Sequence, residues 1–320
     1  MRSDDISAAV ERALTEYFRL NAPAAAETKG GWSARAFRVE SPEGKFFLKV
    51  YDKEEHSTAQ WTANMEAYLP FVNRLAAEGL RGRVPEAVPA EDGRLWAEDG
   101  RHLYLLTGFL PGEMPGSRPL TGQEAGELGE IVGRLHRTKA ALDDLISGVR
   151  EDFFVPFAGK LAAMARGETD LPPEAEEIIG LHRGAVAELC QRLGRLSETM
   201  AGKALPFVPC HTDIHGWNLL SGERLVLLDW EGLRMAPMEA DFFALAGMRA
   251  FPALWEAYRW VRPGAEIRED ALEFYRARRR CEDIWEFAAR AVYDRLDEKT
   301  RRETLAGLQS ECEALEREGI

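Results

Sequence analysis

The segment HTDIHGWNLL, residues 211 to 220, is the feature that most constrains what this chain can fold into. His211, Asp213 and His215 alternate along it, which would place them on one face of an extended segment and suggests a zinc or iron centre. Asn218 does not fit such a ligand set, and the remaining histidines do not stand in pairs at metal-binding spacing. A metal-dependent hydrolase is therefore the weaker interpretation of this segment.

A second carboxylate, Asp229, follows eleven residues after Asn218, at the end of a short apolar run. Asp213 would then be free to orient a hydroxyl, while Asn218 and Asp229 offer the oxygen ligands that suit Mg2+ on nucleotide phosphates. Phosphoryl transfer also needs a cation on the phosphates from another part of the chain. Lys49 is the candidate for that cation, and Glu66 is the acid expected to hold it in place.

Strand patterns follow an opening helix in the first third of the chain. Apolar residues four apart predict an amphipathic helix over residues 4 to 20. The runs GGWSARAFRVE and KFFLKVYD predict two strands joined by the turn SPEG, with Lys49 inside the second strand. Next comes a predicted helix with Ser57 as its N-cap, which Pro70 is expected to kink or divide. The run RHLYLLTGFL, residues 101 to 110, predicts another strand.

The Pro/Gly cluster PGEMPG, which begins at residue 111, is the predicted boundary between two lobes. At 320 residues the chain exceeds the size at which a single core usually stops growing. We expect an N-terminal lobe over 1–110, which includes the strand over 102–110, and a C-terminal lobe over 111–320. Helical spacing dominates the second lobe, interrupted by two short strands. The expected fold class is α+β, a small antiparallel sheet lobe followed by a larger, mainly helical lobe.

Composition excludes several classes of protein. The chain is 45% hydrophobic and 30% charged, as ordinary globular proteins are, and its formal net charge of -13 argues against a nucleic-acid partner. Its apolar runs are all shorter than the roughly 20 residues that cross a bilayer, so no membrane partner is expected. Four widely spaced cysteines and an acidic N-terminus without a signal pattern predict a cytoplasmic protein. A monomer or weak dimer is expected.

Seven motifs occur in the order found in one group of kinase-like enzymes. They are FFLKV, a helix with Glu66, YLLTGFLPGE, LGEIVGRLHR, HTDIHGWNLL, LLDWEG and MEADFF. Over most of its length the chain therefore resembles the aminoglycoside phosphotransferase and choline kinase family. The runs LLDWEGLRMAPMEADFF and FYRARRRCEDI are most similar to the spectinomycin phosphotransferases of that group. The resemblance implies a two-lobed, protein-kinase-like fold. Its N-terminal lobe, 1–110, would bind the nucleotide and include a hinge strand over 102–110, and its C-terminal lobe, 111–320, would carry the catalytic and acceptor-binding residues.

The resemblance also implies a role for each residue of the central motif. Asp213 would be the catalytic base, and Asn218 and Asp229 would be magnesium ligands. His211 would brace the catalytic loop, and Asp241 would be structural. On this interpretation His215 is a structural or substrate-side residue and not a zinc ligand.

On the nucleotide side, the resemblance implies Lys49 as the phosphate anchor and Glu66 as its ion-pair partner. The backbone at Gly108 and Leu110 would receive adenine. The nucleotide loop is expected in GGWSARAF, where three residues would lie near the phosphates: Gly30, Gly31 and Ser33. The implied cofactors are ATP or GTP together with Mg2+.

The expected reaction is transfer of the γ-phosphoryl group to a hydroxyl of an aminoglycoside or aminocyclitol antibiotic. The alternative is a housekeeping kinase of choline, an amino alcohol, homoserine or a sugar. After Leu110 the chain has 27 Lys and Arg against 37 Asp and Glu, which favours a cationic acceptor, although an acidic soluble surface explains the same excess. The candidate acceptor-side carboxylates are Glu231, Glu239, Asp283 and Glu286. A kinase-like binding protein without turnover is disfavoured because the full set of catalytic residues is present.

Overall fold

The computed structural model describes residues 3–28, 34–138 and 144–318. Within these ranges the chain forms an antiparallel sheet near its N-terminus and a larger, mainly helical part that carries two short strand pairs. The predicted α+β class is confirmed. None of the helices in the described ranges combines the length and the apolar character needed to cross a membrane.

The N-terminal sheet is fully antiparallel and has the order β1, β2, β3, β5, β4. Its strands are β1 Ala24–Thr28, β2 Arg35–Ser41, β3 Gly44–Asp52, β4 Ala97–Glu98 and β5 His102–Gly108. The predicted tight turn joins β2 to β3, where Ser41 pairs with Gly44, whose φ of 146° favours glycine. Because β3 lies between β2 and β5, Lys49 is fixed near the middle of the sheet.

One face of the sheet is covered by α1, Ser3–Arg12, which continues as a π-helical turn over Ala13–Tyr17. The predicted amphipathic helix is confirmed, since Ile6, Val10 and Leu14 are buried against side chains of β2 and β3. These contacts give the sheet its own small core.

The helix predicted after β3 is divided, but not at the predicted position. It forms α2, Thr58–Thr62, and α3, Met65–Leu75, and the break falls at Ala63 and Asn64. Asn64 leaves the helical region because its short polar side chain favours caps over helix interiors. Pro70 lies inside α3 without dividing it. The Ser57 hydroxyl does not cap α2 and instead donates to Asp294 Oδ2 at 3.1 Å.

The C-terminal part contains eight α-helices within the described residues. They are α4 Gly122–Leu135, α5 Pro156–Ala165, α6 Pro173–Leu181, α7 Arg183–Ala201, α8 Glu239–Phe242, α9 Phe251–Val261, α10 Glu269–Tyr293 and α11 Glu298–Glu318. Two antiparallel pairs interrupt them, β6 Val208–Cys210 with β9 Arg234–Ala236, and β7 Leu219–Leu220 with β8 Val226–Leu227. The predicted short hairpin at Ser221 and Gly222 is confirmed as β7 and β8.

The largest hydrophobic core crosses the predicted lobe boundary. Tyr68 and Phe71 of α3 are buried in the same cluster as Leu128 and Ile131 of α4, which the helical spacing had predicted to be buried. Leu227 of β8 belongs to this cluster as well. Helix α3 of the N-terminal part is therefore packed onto the part of the chain that carries the central motif. The boundary between residues 110 and 111 stays a prediction.

Candidate active site

The loop after β6 is held by one buried carboxylate. Asp241 of α8 accepts hydrogen bonds from the backbone N–H groups of His211, at 3.1 Å, and Thr212, at 2.6 Å. Its Oδ2 atom also lies 2.9 Å from His136 Nε2. Thr212 has a φ of 72°, a left-handed conformation that costs energy in a residue other than glycine. The bonds to Asp241 therefore stabilise a strained turn at the start of the loop.

His211 connects this loop to the segment that leads to Asp229. Its Nε2 donates to the carbonyl oxygen of Leu228 at 2.7 Å, and its Nδ1 accepts from the backbone N–H of Asp213 at 3.3 Å. The ring packs edge to face on Trp230, with centroids 4.8 Å apart. Both ring nitrogens are thus used within the protein, which leaves His211 without a lone pair for a metal ion.

Asp213 lies in the loop with three side-chain partners. Asn218 Nδ2 donates to its Oδ2 at 2.9 Å, and Arg279 Nη1 donates to its Oδ1 at 2.6 Å. His215 Nε2 lies 3.3 Å from the same Oδ1. Burial alone would raise the pKa of Asp213, but the hydrogen bond from His215 and the charge of Arg279 outweigh burial and hold that pKa well below its usual range. The carboxylate is therefore ionised at neutral pH.

Lys49 reaches from β3 to two acids that follow β8. Its Nζ atom lies 2.7 Å from Asp229 Oδ1 and 2.7 Å from Glu231 Oε1, and the hydroxyl of Tyr51 donates to the same Glu231 oxygen at 2.9 Å. Burial alone would lower the pKa of Lys49, but the charges of the two carboxylates outweigh burial and raise it. Lys49 is therefore held as a cation.

The predicted ion pair between Lys49 and Glu66 is not formed in this structure. Glu66 is exposed in the first turn of α3, whereas Glu231 is only 9% exposed and contacts the ammonium group. Glu231 was expected on the acceptor side, and in this structure it contacts Lys49. Lys49 contacts Glu231 because of the tertiary structure, in which the turn after β8 places Glu231 beneath β3.

Asn218 and Asp229 lie side by side, since the backbone N–H of Leu228 donates to the carbonyl oxygen of Asn218 at 2.8 Å. Asp229 has a φ of 58°. Of its two carboxylate oxygens, only Oδ1 accepts a hydrogen bond from Lys49. Asn218 uses its amide nitrogen on Asp213, at 2.9 Å from both the carboxylate and the backbone oxygen. Asp229 Oδ2 and Asn218 Oδ1 thus have no donor among the described residues. Side-chain oxygens of this kind suit a magnesium ion.

The segment after β5 was predicted to receive the base through its backbone. The N–H groups of Gly108 and Phe109 donate to the carbonyl oxygens of Glu86 and Lys45, at 3.2 and 3.0 Å. The backbone of Leu110 has no partner in the ranges that the structure describes. The other predicted nucleotide residues, Gly30, Gly31 and Ser33, lie outside the described residues.

Comparison with known proteins identifies the family. A model of the phosphotransferase enzyme family, APH, matches residues 25–284, which is most of the chain. The chain belongs to this family. It is therefore a phosphotransferase, an enzyme that transfers phosphate to a hydroxyl group. None of the curated proteins matches the sequence.

Solved structures similar to this phosphotransferase share its fold at low sequence identity. Spectinomycin phosphotransferase APH(9)-Ia, in complex with ADP and spectinomycin, has a TM-score of 0.68 and 16% identity, over 97% of this chain and 98% of that one. A microcompartment-associated aminopropanol kinase has a TM-score of 0.63 and 17% identity, over 97% of each chain. Macrolide 2'-phosphotransferase MphH from Brachybacterium faecium has a TM-score of 0.56 and 15% identity, over 95% of this chain and 98% of that one. The predicted kinase-like fold is thus confirmed.

The other candidate acceptor carboxylates of this phosphotransferase are not all near the motif. Glu239 is fully buried and accepts from the backbone N–H of Arg268 at 2.9 Å, so it is a structural residue. Asp283 of α10 pairs with Arg279 at 2.8 Å, and Gln60 donates to Glu286 at 3.3 Å. Burial raises the pKa of Asp283 to about 6 and, together with the charge of Glu282, also raises the pKa of Glu286.

Arg279 is the residue that the sequence did not single out. It belongs to the run RARRRCED of α10, where Arg278, Arg279 and Arg280 are adjacent, and only the fold decides which one reaches Asp213. The other metal-binding geometry in the described ranges joins His136, Cys210 and Asp241. That group is fully buried, and each member already has hydrogen bonds within the protein. It therefore has a structural role.

Proposed function

We propose that this phosphotransferase uses MgATP or MgGTP to phosphorylate a hydroxyl of a small aminocyclitol or aminoglycoside acceptor. The observation that carries the proposal is the convergence of Lys49, Asp213, Asn218 and Asp229. They come from β3, the loop after β6 and the end of β8, yet hydrogen bonds connect Lys49 with Asp229 and Asp213 with Asn218. Phosphoryl transfer needs this combination of a cation, a carboxylate and oxygen ligands.

Lys49 would anchor the phosphates of the nucleotide. An ammonium group has three N–H donors, and two of them are directed at Asp229 and Glu231. One donor remains for a phosphate oxygen. The two carboxylates fix the position of the ammonium group, so little ordering is needed when the nucleotide binds.

Asn218 and Asp229 would hold the magnesium ion through the oxygens that lack protein donors. When bound, the ion neutralises charge on the phosphates during transfer. Adenine or guanine would bind at the free backbone groups of Leu110. Because only backbone groups would contact the base, the side chain of Leu110 would have little influence on the choice between adenine and guanine.

Asp213 would bind the acceptor hydroxyl. The hydroxyl oxygen forms a bond to the γ-phosphorus, the bond from phosphorus to the leaving nucleoside diphosphate oxygen breaks, and the hydroxyl proton passes to Asp213. In a loose transition state this proton moves late, so a base of low pKa is sufficient. Most of the acceleration is then expected from positioning and from charge on the phosphates.

The surroundings of Asp213 support a cationic acceptor. Glu282, Asp283 and Glu286 lie on one side of α10, and Arg279 is the cation that pairs with Asp283. The raised pKa values of Asp283 and Glu286 have burial as their largest cause and neighbouring carboxylates as a further one. An ammonium group on the acceptor would favour the ionised forms of these carboxyl groups and pair with them. Aminocyclitols and amino alcohols both carry such a group beside a hydroxyl.

The similarity to an aminopropanol kinase makes an amino alcohol the second candidate acceptor. Nucleoside diphosphate release from MgATP and MgGTP separates the candidates when spectinomycin, several aminoglycosides, aminopropanol, choline and homoserine are offered in turn. We expect turnover with an amino-bearing acceptor, and its loss in Asp213→Asn with nucleotide affinity retained. A fully active Asp213→Asn enzyme would contradict the role of Asp213, and activity that needs zinc and no nucleotide would support the hydrolase interpretation.

A further inference from the structure

Arg279 is fixed at both ends of its guanidinium group. Nη1 donates to Asp213 Oδ1 at 2.6 Å, and Nε lies 2.8 Å from Asp283 Oδ1, one turn further along α10. Cys281 and Ile284 of the same helix are fully buried, so the backbone that carries Arg279 is anchored in the core. The side chain itself is 33% exposed, which leaves it accessible from solvent.

The hydrogen bonds around Asp213 can be counted oxygen by oxygen. A carboxylate has about four acceptor positions, two on each oxygen. On Oδ1 these positions face Arg279 and His215. His215 acts as a donor there, because its Nδ1 accepts from the backbone N–H of Trp217 at 3.2 Å and the ring proton is therefore on Nε2.

The second oxygen of Asp213 has one donor, Asn218 Nδ2 at 2.9 Å. One acceptor position therefore remains on the carboxylate, and it belongs to Oδ2. This is the oxygen next to Asn218, whose own side-chain oxygen we assign to the magnesium site. A hydroxyl bound at Oδ2 would lie next to the phosphates.

We propose that Arg279 is a positioning residue that presents Oδ2 of Asp213 to the acceptor hydroxyl. This inference rests on the proposed function. By filling Oδ1 together with His215, Arg279 prevents the carboxylate from rotating and from binding the hydroxyl through the wrong oxygen. The charge of Arg279 weakens Asp213 as a base, but a loose transition state depends on alignment more than on basicity.

The kinetic test compares Arg279→Ala with Arg276→Ala on the acceptor that the wild-type enzyme phosphorylates. Arg276 lies one turn earlier on α10 and pairs with Glu269, whose side chain is 78% exposed. We expect Arg279→Ala to lower kcat about a hundredfold, the loss typical of a misplaced reacting group, with KM for ATP nearly unchanged. Arg276→Ala should resemble the wild type.

Rescue separates positioning from a general effect on folding. Millimolar guanidinium should restore part of kcat in Arg279→Ala but not in Asp213→Asn, and Arg279→Lys should fall between wild type and Arg279→Ala. Wild-type kcat in Arg279→Ala would overturn the inference. So would a loss of kcat that is accompanied by an equal rise in KM for ATP and is not rescued.

A crystal structure of Arg279→Ala provides a readout that does not require turnover. We expect the Asp213 carboxylate to rotate about its Cβ–Cγ bond, so that Oδ2 is no longer fixed beside Asn218 Nδ2. An unchanged carboxylate would overturn the inference. If the wild-type enzyme has no turnover with any acceptor, the proposed function fails, and this structure still decides whether Arg279 positions Asp213.

Discussion

Lys49 pairs with Glu231 and not with the predicted partner Glu66. The variant Glu231→Gln tests this pairing directly. The glutamine keeps an oxygen that can accept from Lys49, so the change removes charge and little volume. Glu66→Gln is the matched control, because the same chemical change is made at an exposed position of α3.

The expected magnitude follows from the burial of the pair. Lys49 is 17% exposed and Glu231 is 9% exposed, so solvent screens their interaction only weakly. A hydrogen bond to a charged group contributes about 1.5–3 kcal/mol, and glutamine keeps a weaker one to the ammonium group because only one of the two charges is removed. Glu231→Gln should therefore lower the free energy of unfolding by about 1–2 kcal/mol. Glu66→Gln should change it by less than about 0.5 kcal/mol.

Urea denaturation of single and double variants measures the coupling. In a Lys49→Met background, Glu231→Gln should lose most of its effect, because the charge it interacts with is gone. Glu66→Gln should be additive with Lys49→Met. Additivity for Glu231→Gln, or a coupling energy for Glu66→Gln above about 1 kcal/mol, would refute the assignment.

Three further predictions concern the nucleotide, the loop and pH. Lys49→Ala should raise KM for ATP and lower kcat, and unchanged ATP kinetics would exclude it as the phosphate anchor. A Cβ at Gly216 would lie 2.1 Å from the carbonyl oxygen of Gly116, so Gly216→Ala should cost about 1–3 kcal/mol in thermal unfolding, unlike Gly180→Ala in open space. Because the folded-state pKa of Asp283 is raised to about 6, its contribution to stability is present near pH 4 and is lost as pH rises through 6. The Tm of the wild type relative to Asp283→Asn should fall over that range, and a constant difference would contradict the shift.

Local sequence patterns predicted most of the strands and helices that carry the site. The two-residue period placed Lys49 inside β3, and the four-residue spacing predicted the buried face of α4. The motif that contains Asp213 and Asn218, with Asp229 after a short strand, lies within a short stretch of sequence, and the catalytic roles of these residues stay predictions. The strand and helix predictions succeeded because both periods are properties of neighbouring residues.

The contacts that the sequence missed join distant segments. Lys49 meets Glu231 across 182 positions, and Arg279 meets Asp213 across 66. The sequence does not distinguish an exposed glutamate from a partly buried one, so the choice of Glu66 relied on the family pattern alone. The break at Asn64 was missed because proline is the stronger helix breaker, yet Pro70 is tolerated in α3.

The core shared by α3 and α4 has a consequence for how the molecule melts. Tyr68 and Phe71 share one apolar cluster with Leu128 and Ile131, so unfolding of either part removes some of the apolar surface that covers the other. Neither part can open completely without exposing the other's apolar surface to water, which is unfavourable. Heating should therefore give a single cooperative transition, and a chain cut after residue 110 should leave two fragments that are stable only when associated.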